Sequence, residues 1–482
     1  MLIPKEVQFI IKELENKGFE SYIVGGCVRD SLRGVKPEDW DVTTNANPDQ
    51  IVQIFPKNYI ENKFGTVTVL TGSKDLTLKE VEITPYRIDE KYSDKRHPDK
   101  IHWAKTVEED LARRDFTVNA IAVDFKGKTI DPFFGQKDLK NKIIRTVGKA
   151  EDRFSEDALR MMRAIRFAAA LNFKIEEQTA QAIKKNSLWL KAISKERIRD
   201  ELMKIIMSDG AAEGIESLRE TGLLKNIIPE LEEGYKIGQN KHHVYEVYEH
   251  SLMSLKFAVQ KKFNQYVRIA ALLHDIGKPR VKKGDGPEST FYNHEIVGAK
   301  MTRQILERLR FSKKDIEKIT KLVRYHLFYY NVGEVGENSV RRLVRQVGLE
   351  NMEELLQVRM ADRIGSGCPK AEPYKLRHLK YLIEKVSQDP ISVKTLKISG
   401  DEVMKILKIK PGPKVGQVLD ILLGYVLENP QKNKKEILKK EIKKFEKISD
   451  EKIKEFSWKA KQEREKTETK RDEMTKKKYW VT

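Results

Sequence analysis

Alternating apolar and polar residues dominate the first third of the chain. SYIVGG, FGTVTVLTG, LTLKEVEIT and FTVNAIAVD read as strand-like runs, with short helical stretches between them. After about residue 145 the period changes, and apolar residues recur every three or four positions with few strand candidates. The pattern predicts an α+β head, a mixed sheet with helices over 1–145, followed by an all-α remainder. DPFFGQKDLKNKIIRTVG closes the head with Pro and Gly punctuation. The remainder divides into a helical neck over 146–235, a histidine-bearing module over 236–370 and a helical rear over 371–482, interrupted once at KIKPGPKVG. In the rear, Leu438, Ile442, Phe445 and Ile448 make an apolar stripe that would dock a lysine-rich helix. The far tail, KAKQEREKTETKRDEMTKKKYWVT, is expected to be disordered when free. No internal repeat is evident.

Length and charge narrow the picture. A chain of 482 residues is too long for one core, so three or four domains are expected. Its 93 Lys+Arg against 73 Asp+Glu give a formal charge of +20, and the last 52 residues alone carry 19 basic against 11 acidic side chains. A polyanionic partner follows, nucleic acid ahead of a membrane surface. No apolar run approaches spanning length, and MLIPKEVQFIIKELENKG alternates apolar with charged residues at helical spacing, so neither a membrane nor a signal peptide is indicated and a cytoplasmic protein is expected. Cys27 and Cys368 are too few and too far apart for a disulfide framework or a thiolate metal site.

The chemistry begins at IVGGCVRDSLRGVKPEDWDV. In a strand, residues i and i+2 share a face, so Asp39 and Asp41 are expected to point together, their Cα atoms about 6 to 7 Å apart. Two such carboxylates can share a pair of Mg²⁺ ions, the arrangement used for phosphoryl and nucleotidyl transfer. Gly25 and Gly26 end an apolar run and precede a stretch that can start a helix, which suits backbone N–H groups to a triphosphate, with Arg29 one turn in. In KEVEIT, Glu80 and Glu82 share strand parity, and Glu82 is the choice for a third carboxylate.

GGCVRDSLRG with DWD, then FGTV, EITPYR, RRDFTVNAIAVD, EDALRMMRAIRF and ERIRDELMKI resemble, in order, the motifs of the class II tRNA nucleotidyltransferase and bacterial poly(A) polymerase family. The resemblance covers roughly residues 20 to 210. It implies template-independent addition of C, C and A to tRNA 3′ ends from CTP and ATP, with Gly25, Gly26 and Arg29 on the triphosphate, Asp39 and Asp41 on the metals, and Arg113, Arg114, Asp115 and Asn119 on sugar and phosphates. EDALRMMR, with Asp157, Arg160 and Arg163, would bind the base. The residues agree with this: Asp157 and Arg160 lie i,i+3 in a helical stretch, one an acceptor and the other a donor. Cytosine and adenine both present an amine beside an unprotonated ring nitrogen, whereas uracil and guanine present the reverse. Glu196, Arg197, Glu201 and Lys204 would brace the reading helix. The polar segment IDEKYSDKRHPDKIH after Arg87 resembles a flexible loop linked in the family with the switch to A addition. An enzyme adding only A, or poly(A), shares these head motifs and stays open.

Six of the nine histidines fall between about 240 and 370: His242, His243, His250, His274, His294 and His326. His250, LLHDIGK with His274 and Asp275, and MADR with Asp362 resemble the H…HD…D pattern of the HD phosphohydrolase superfamily. Two imidazoles and two carboxylates suit Mn²⁺, Ni²⁺ or Mg²⁺ rather than a structural zinc. His294 and His326 are candidates for a second metal or a phosphate, and Lys278 for a phosphate contact. Some nucleotidyltransferases with such a module are phosphatases or cyclic phosphodiesterases; a retained fold with little activity is the other outcome. A rival of another class is an RNA-binding phosphohydrolase with an inactive head. No protein partner is implied.

Overall fold

The computed structural model describes residues 2–60, 65–90, 100–240, 244–387, 393 and 396–481. His242 and His243, and most of the polar segment after Arg87, lie outside the described residues. The chain divides into two compact units, Met1–Leu327 with Glu353–Ala371, and Phe328–Met352 with Glu372–Thr482.

The first unit opens with the sheet that the two-residue period predicts. Strands β1 (Ser21–Val24), β2 (Asp41–Thr44), β3 (Asn58–Ile60), β4 (Val67–Leu70) and β5 (Glu80–Pro85) are followed by a separate hairpin of β6 (Arg87–Glu90) and β7 (Lys100–Trp103), then β8 (Ala122–Val123) and β9 (Thr129–Ile130). The main sheet runs β3-β4-β5-β2-β1-β8-β9 and is mixed: β2 is parallel to β5, and its other neighbour, β1, is antiparallel to it. The amphipathic helix Lys5–Asn16 buries Val7, Ile10, Ile11 and Leu14 against Ile23, Val42 and Ile83 of the sheet.

FTVNAIAVD departs from expectation. Thr117–Asn119 is a 3₁₀ turn, and only Ala122–Val123 pairs in the sheet. Thr117 Oγ1 donates to Asp138 Oδ2 at 2.7 Å and the Asn119 amide bonds back to Phe116 O, so local partners replace the ladder.

Helices then take over, with one short parallel pair of β10 (Ile143–Ile144) and β11 (Lys174–Ile175). Leu159–Leu171, Lys195–Met207 and Ala211–Glu220 pack together, and Val247–Gln260, Gln265–Leu273, His294–Arg308 and Lys313–Tyr325 follow. The Arg268 guanidinium ties the two helical groups, donating to Ile206 O and Ser208 O at 3.1 and 3.3 Å.

The second unit is helical. Leu438, Ile442 and Phe445 dock the lysine-rich helix Lys435–Lys444 and its following turn onto Val418 and Leu422, with Ile448 partly buried beside them. The tail corrects the expectation of disorder: Asp450–Tyr479 is one 30-residue helix. Its own composition is polar, but Ile453 and Ser457 are buried, and Gly424 lets it approach so closely that an added Cβ would lie 3.2 Å from Ala460 Cβ. Tyr381 donates to Asp472 at 2.5 Å, and Lys461 pairs with Asp420 at 3.0 Å. Tertiary partners supply the order that composition withholds. Among the described residues, no helix is long and apolar enough to cross a membrane.

Candidate functional site

A cleft of about 920 Å³ in the first unit is lined by residues from Val24 to Lys204. Gly25 caps the helix Gly26–Leu32 at φ 79°, a left-handed conformation that favours glycine, and a Cβ there would stand 3.2 Å from Asp41 Oδ2 and 3.3 Å from an Arg114 guanidinium nitrogen. A Cβ on Gly26 would stand 3.7 Å from an Arg29 guanidinium nitrogen and 3.8 Å from Asp39 Oδ1. The Gly-Gly turn thus lies directly against both aspartates. Asp39 corrects the strand expectation: it sits in a bend just before β2, and only Asp41 is in the strand. The two still face one cleft because Trp40 is buried between them and its carbonyl accepts from the Glu82 amide at 3.3 Å. Glu82 lies opposite Asp41 in the β2–β5 register and lines the same cleft. Cys27 beneath them is inert as a nucleophile, its thiol pushed up to about 12 by burial and the Asp41 charge.

Arginines form the facing wall. Arg29 donates to Asn119 Oδ1 at 2.8 Å and holds Asp30 at 2.7 Å. Arg113 and Arg114 are both anchored on Asp110, at 2.7 and 3.2 Å. Asp110 is fully buried; burial alone would raise its carboxyl, and the two guanidinium groups bring it below the ordinary value. This anchor escaped the sequence reading, although its place three and four residues ahead of the arginine pair is the signal that could have found it. Asp115 accepts from Arg163 at 2.6 Å and from the Phe116 amide at 2.9 Å. Burial opposes its charge, yet Arg163 and Arg160 bring it down to about 2.

Asp157 and Arg160 both line the cleft, but not as neighbours on one helix. The helix Ala150–Glu156 ends at Asp157, which is extended at φ −143°, and Leu159–Leu171 begins a new one. The Leu159 amide donates to Asp157 Oδ1 at 3.1 Å, so the aspartate caps the second helix instead of continuing the first. Its carboxylate is gripped by Arg197 at 2.7 Å, while Arg160 pairs with Glu156. Arg197, Glu201 and Lys204 do brace this region: Glu201 contacts Arg166 at 3.4 Å and Lys204 at 3.3 Å.

The histidines form a second centre in the same unit. His250, His274 and Asp275 make one group of candidate ligands, and Asp275, His294 and His326 another, all buried. Asp275 Oδ2 lies 3.0 and 3.3 Å from Nε2 of His250 and His274, with Asp362 Oδ1 3.5 and 3.7 Å from the same nitrogens. Asp275 Oδ1 faces Nε2 of His294 and His326 at 3.3 and 3.7 Å. One carboxylate therefore presents an oxygen to each histidine pair. Nδ1 of His274, His294 and His326 meets the carbonyls of Ala271, Phe291 and Val323 at 2.7 to 2.8 Å, which turns Nε2 of each toward the centre. Gly277 permits the assembly, since a Cβ there would fall 2.3 Å from His294 O. Burial and the His274 charge push the His326 imidazole down to about 3, whereas the His274 imidazole, against burial, is held up to about 10 by Asp275 and Asp362, so the carboxylates of this centre draw positive charge. Asp275 is held well below the carboxylate range although burial opposes it, by His274 and Lys278. The donor set fits divalent transition ions.

Comparison with known proteins follows this division. Residues 21–145 match the poly A polymerase head domain, 172–234 the probable RNA and SrmB-binding site of polymerase A, and 247–365 the HD domain. The A-adding tRNA nucleotidyltransferase of Deinococcus radiodurans is 35% identical over 415 residues, 83% of this chain and 90% of that protein. The CCA-adding enzyme of Ligilactobacillus salivarius is 47% identical over 217 residues, which span 45% of this chain and 52% of that enzyme. The structure of the Bacillus stearothermophilus CCA-adding enzyme in complex with CTP superposes with a TM-score of 0.58 at 28% identity, covering 92% of this chain and 97% of the other. With the glycine turn set against its aspartates, an arginine-lined cleft and these matches, the chain belongs to the class II tRNA nucleotidyltransferase and poly(A) polymerase family and carries an HD domain.

Proposed function

We propose that this protein adds C, C and A to tRNA 3′ ends from CTP and ATP. The observation that carries the reading is the cleft itself, which brings Asp39, Asp41 and Glu82 together with Asp157 and Arg160 across some 120 residues of chain. The family implies a divalent metal; Mg²⁺ held by Asp39 and Asp41, with Glu82, would supply charge neutralisation and activation of the attacking hydroxyl. The chain's own groups do the rest. Gly25, Gly26, Arg29, Arg113 and Arg114 hold the triphosphate, and Asp115 and Asn119 hold the ribose. Asp157 accepts from the amine of C or A, and Arg160, with Arg163 beside it, donates to the ring nitrogen. The tRNA 3′ oxygen bonds to the α-phosphorus as the bond to pyrophosphate breaks.

The head 1–145 and neck 146–235 would form this centre, and the rear 371–482 would hold tRNA through its lysines, in a salt-sensitive way. A cytoplasmic setting fits a tRNA substrate. The similarity to the Deinococcus enzyme over most of both chains favours a second reading, addition of A alone. The experiment is incorporation from each nucleotide separately onto tRNA transcripts ending before CCA, after C and after CC. The proposal expects C, C and A in turn; A on the last transcript only would leave the A-adding reading.

The module 236–370 would act as a metal-dependent phosphohydrolase using Mn²⁺, Ni²⁺ or Mg²⁺, supported by the two ligand groups that share Asp275. Hydrolysis of a 2′,3′-cyclic nucleotide or a phosphate monoester with any of these ions tests it. Absence of both activities would leave a retained fold without chemistry.

A further inference from the structure

Lys278 is a buried ammonium beside the histidine centre and has no lone pair to offer a metal. Its Nζ lies 2.7 Å from Asp275 Oδ2 and 2.6 Å from Gln239 Oε1, and 5.5 Å from the centre of the Phe291 ring. Gln239 lies near the start of the module, ahead of the helix Val247–Gln260. Its Nε2 donates to Tyr245 O at 3.0 Å, which fixes its amide with the oxygen toward Lys278. Gln239, Lys278 and Asp275 therefore form a chain that ends on one particular oxygen of the carboxylate shared by both histidine pairs.

We propose that Lys278, held by Gln239, is a positioning residue that keeps the Asp275 carboxylate turned as a bridge, one oxygen to each ion of a pair. The inference rests on the reading of this centre as a metal site. A carboxylate is free to rotate about its last bond, and unrestrained it can chelate a single ion with both oxygens. The ammonium 2.7 Å from Oδ2 restrains that rotation. The ion on His250 and His274 keeps two imidazoles and Asp362 whatever Asp275 does. Among the described residues the ion on His294 and His326 would find its carboxylate in Asp275, at Oδ1, so it is the one that the clamp protects.

The test is Mn²⁺ titration of the full chain by calorimetry, with electron paramagnetic resonance of the loaded protein. Wild type is expected to take up two ions and to show a spin-coupled pair. Lys278→Met should keep the first ion and bind the second roughly 10- to 100-fold more weakly, giving the six-line signal of an isolated ion. Gln239→Ala should shift the second ion the same way by less. If Lys278 acted only by charge repulsion, Lys278→Met would bind both ions more tightly, and the inference would fall. Equal weakening of both ions would mark a merely structural role and also overturn it. Should Lys278→Met lose its circular-dichroism spectrum, Gln239→Ala decides: an unchanged second affinity and coupled signal refute the clamp. Wild type that binds no Mn²⁺ at all removes the metal reading underneath, a result distinct from two ions with unaltered variants.

Discussion

The cleft around Asp41 and the cluster around Asp275 both gather carboxylates, but they differ in access. In the cleft Asp39 and Glu82 are exposed and Asp41 is half-buried. In the cluster His250 and His274 are 0% exposed and Asp275 1%. Exposed carboxylates with few protein ligands suit Mg²⁺, which keeps its waters and arrives shared with a triphosphate. Buried imidazoles with their Nδ1 atoms tied to carbonyls suit ions that stay. On the proposed reading, exposure would separate a metal that arrives with substrate from one that stays.

Breaking the cleft should have the largest effect. Asp39→Ala or Asp41→Ala is expected to lower nucleotide incorporation by at least about 10³-fold, roughly 4 kcal/mol of barrier, while tRNA retention on a filter stays near wild type. More than about a tenth of the wild-type rate would show that these carboxylates are not the metal seat. Next comes the cluster: His274→Ala combined with Asp275→Ala should abolish the tightly bound metal that survives gel filtration, read by elemental analysis, with incorporation rates inside about twofold because no residue of the cluster lines the cleft.

The smallest effect concerns the seam between sheet and helices. Asp115 is held at about 2, so its stabilisation is complete above the unfolded carboxylate value near 3.9 and is lost as pH falls toward 2. Asp115→Asn should therefore cost about 2 kcal/mol at pH 7, and less as pH drops through that window, measured by denaturant unfolding. A gap that widens on acidification would contradict the sign.

Much of this was legible because it is local. Strand period located β1, β4 and β5, and the glycine turn, the aspartates and the histidines announced themselves by type and spacing. What escaped was set by competing local bonds or by distant partners. SEDALR reads as continuous helix because its residues favour one, yet Asp157 spends its carboxylate on the Leu159 amide and breaks the helix there. Asp39 lost its strand place to a bend while keeping its direction, since buried Trp40 anchors the backbone between the pair. The tail looked disordered because its apolar positions are sparse, and its partners Asp420, Tyr381 and Glu384 lie far back in the chain. Asp110 was overlooked as one acid among three in a first turn, although it alone is buried there and holds two arginines.

In the proposed reaction, protein groups choose the base. Single-nucleotide incorporation with CTP, ATP, UTP and GTP on tRNA transcripts ending before the first C and after CC, for wild type, Asp157→Ala and Arg160→Ala, measures this directly. Wild type should prefer CTP over UTP and ATP over GTP by ~10⁴-fold or more, and each variant should narrow both ratios by orders of magnitude while slowing chemistry less. Unchanged ratios in both variants would mean that Asp157 serves only Arg197 and the helix cap, that Arg160 serves only Glu156, and that the base is read elsewhere.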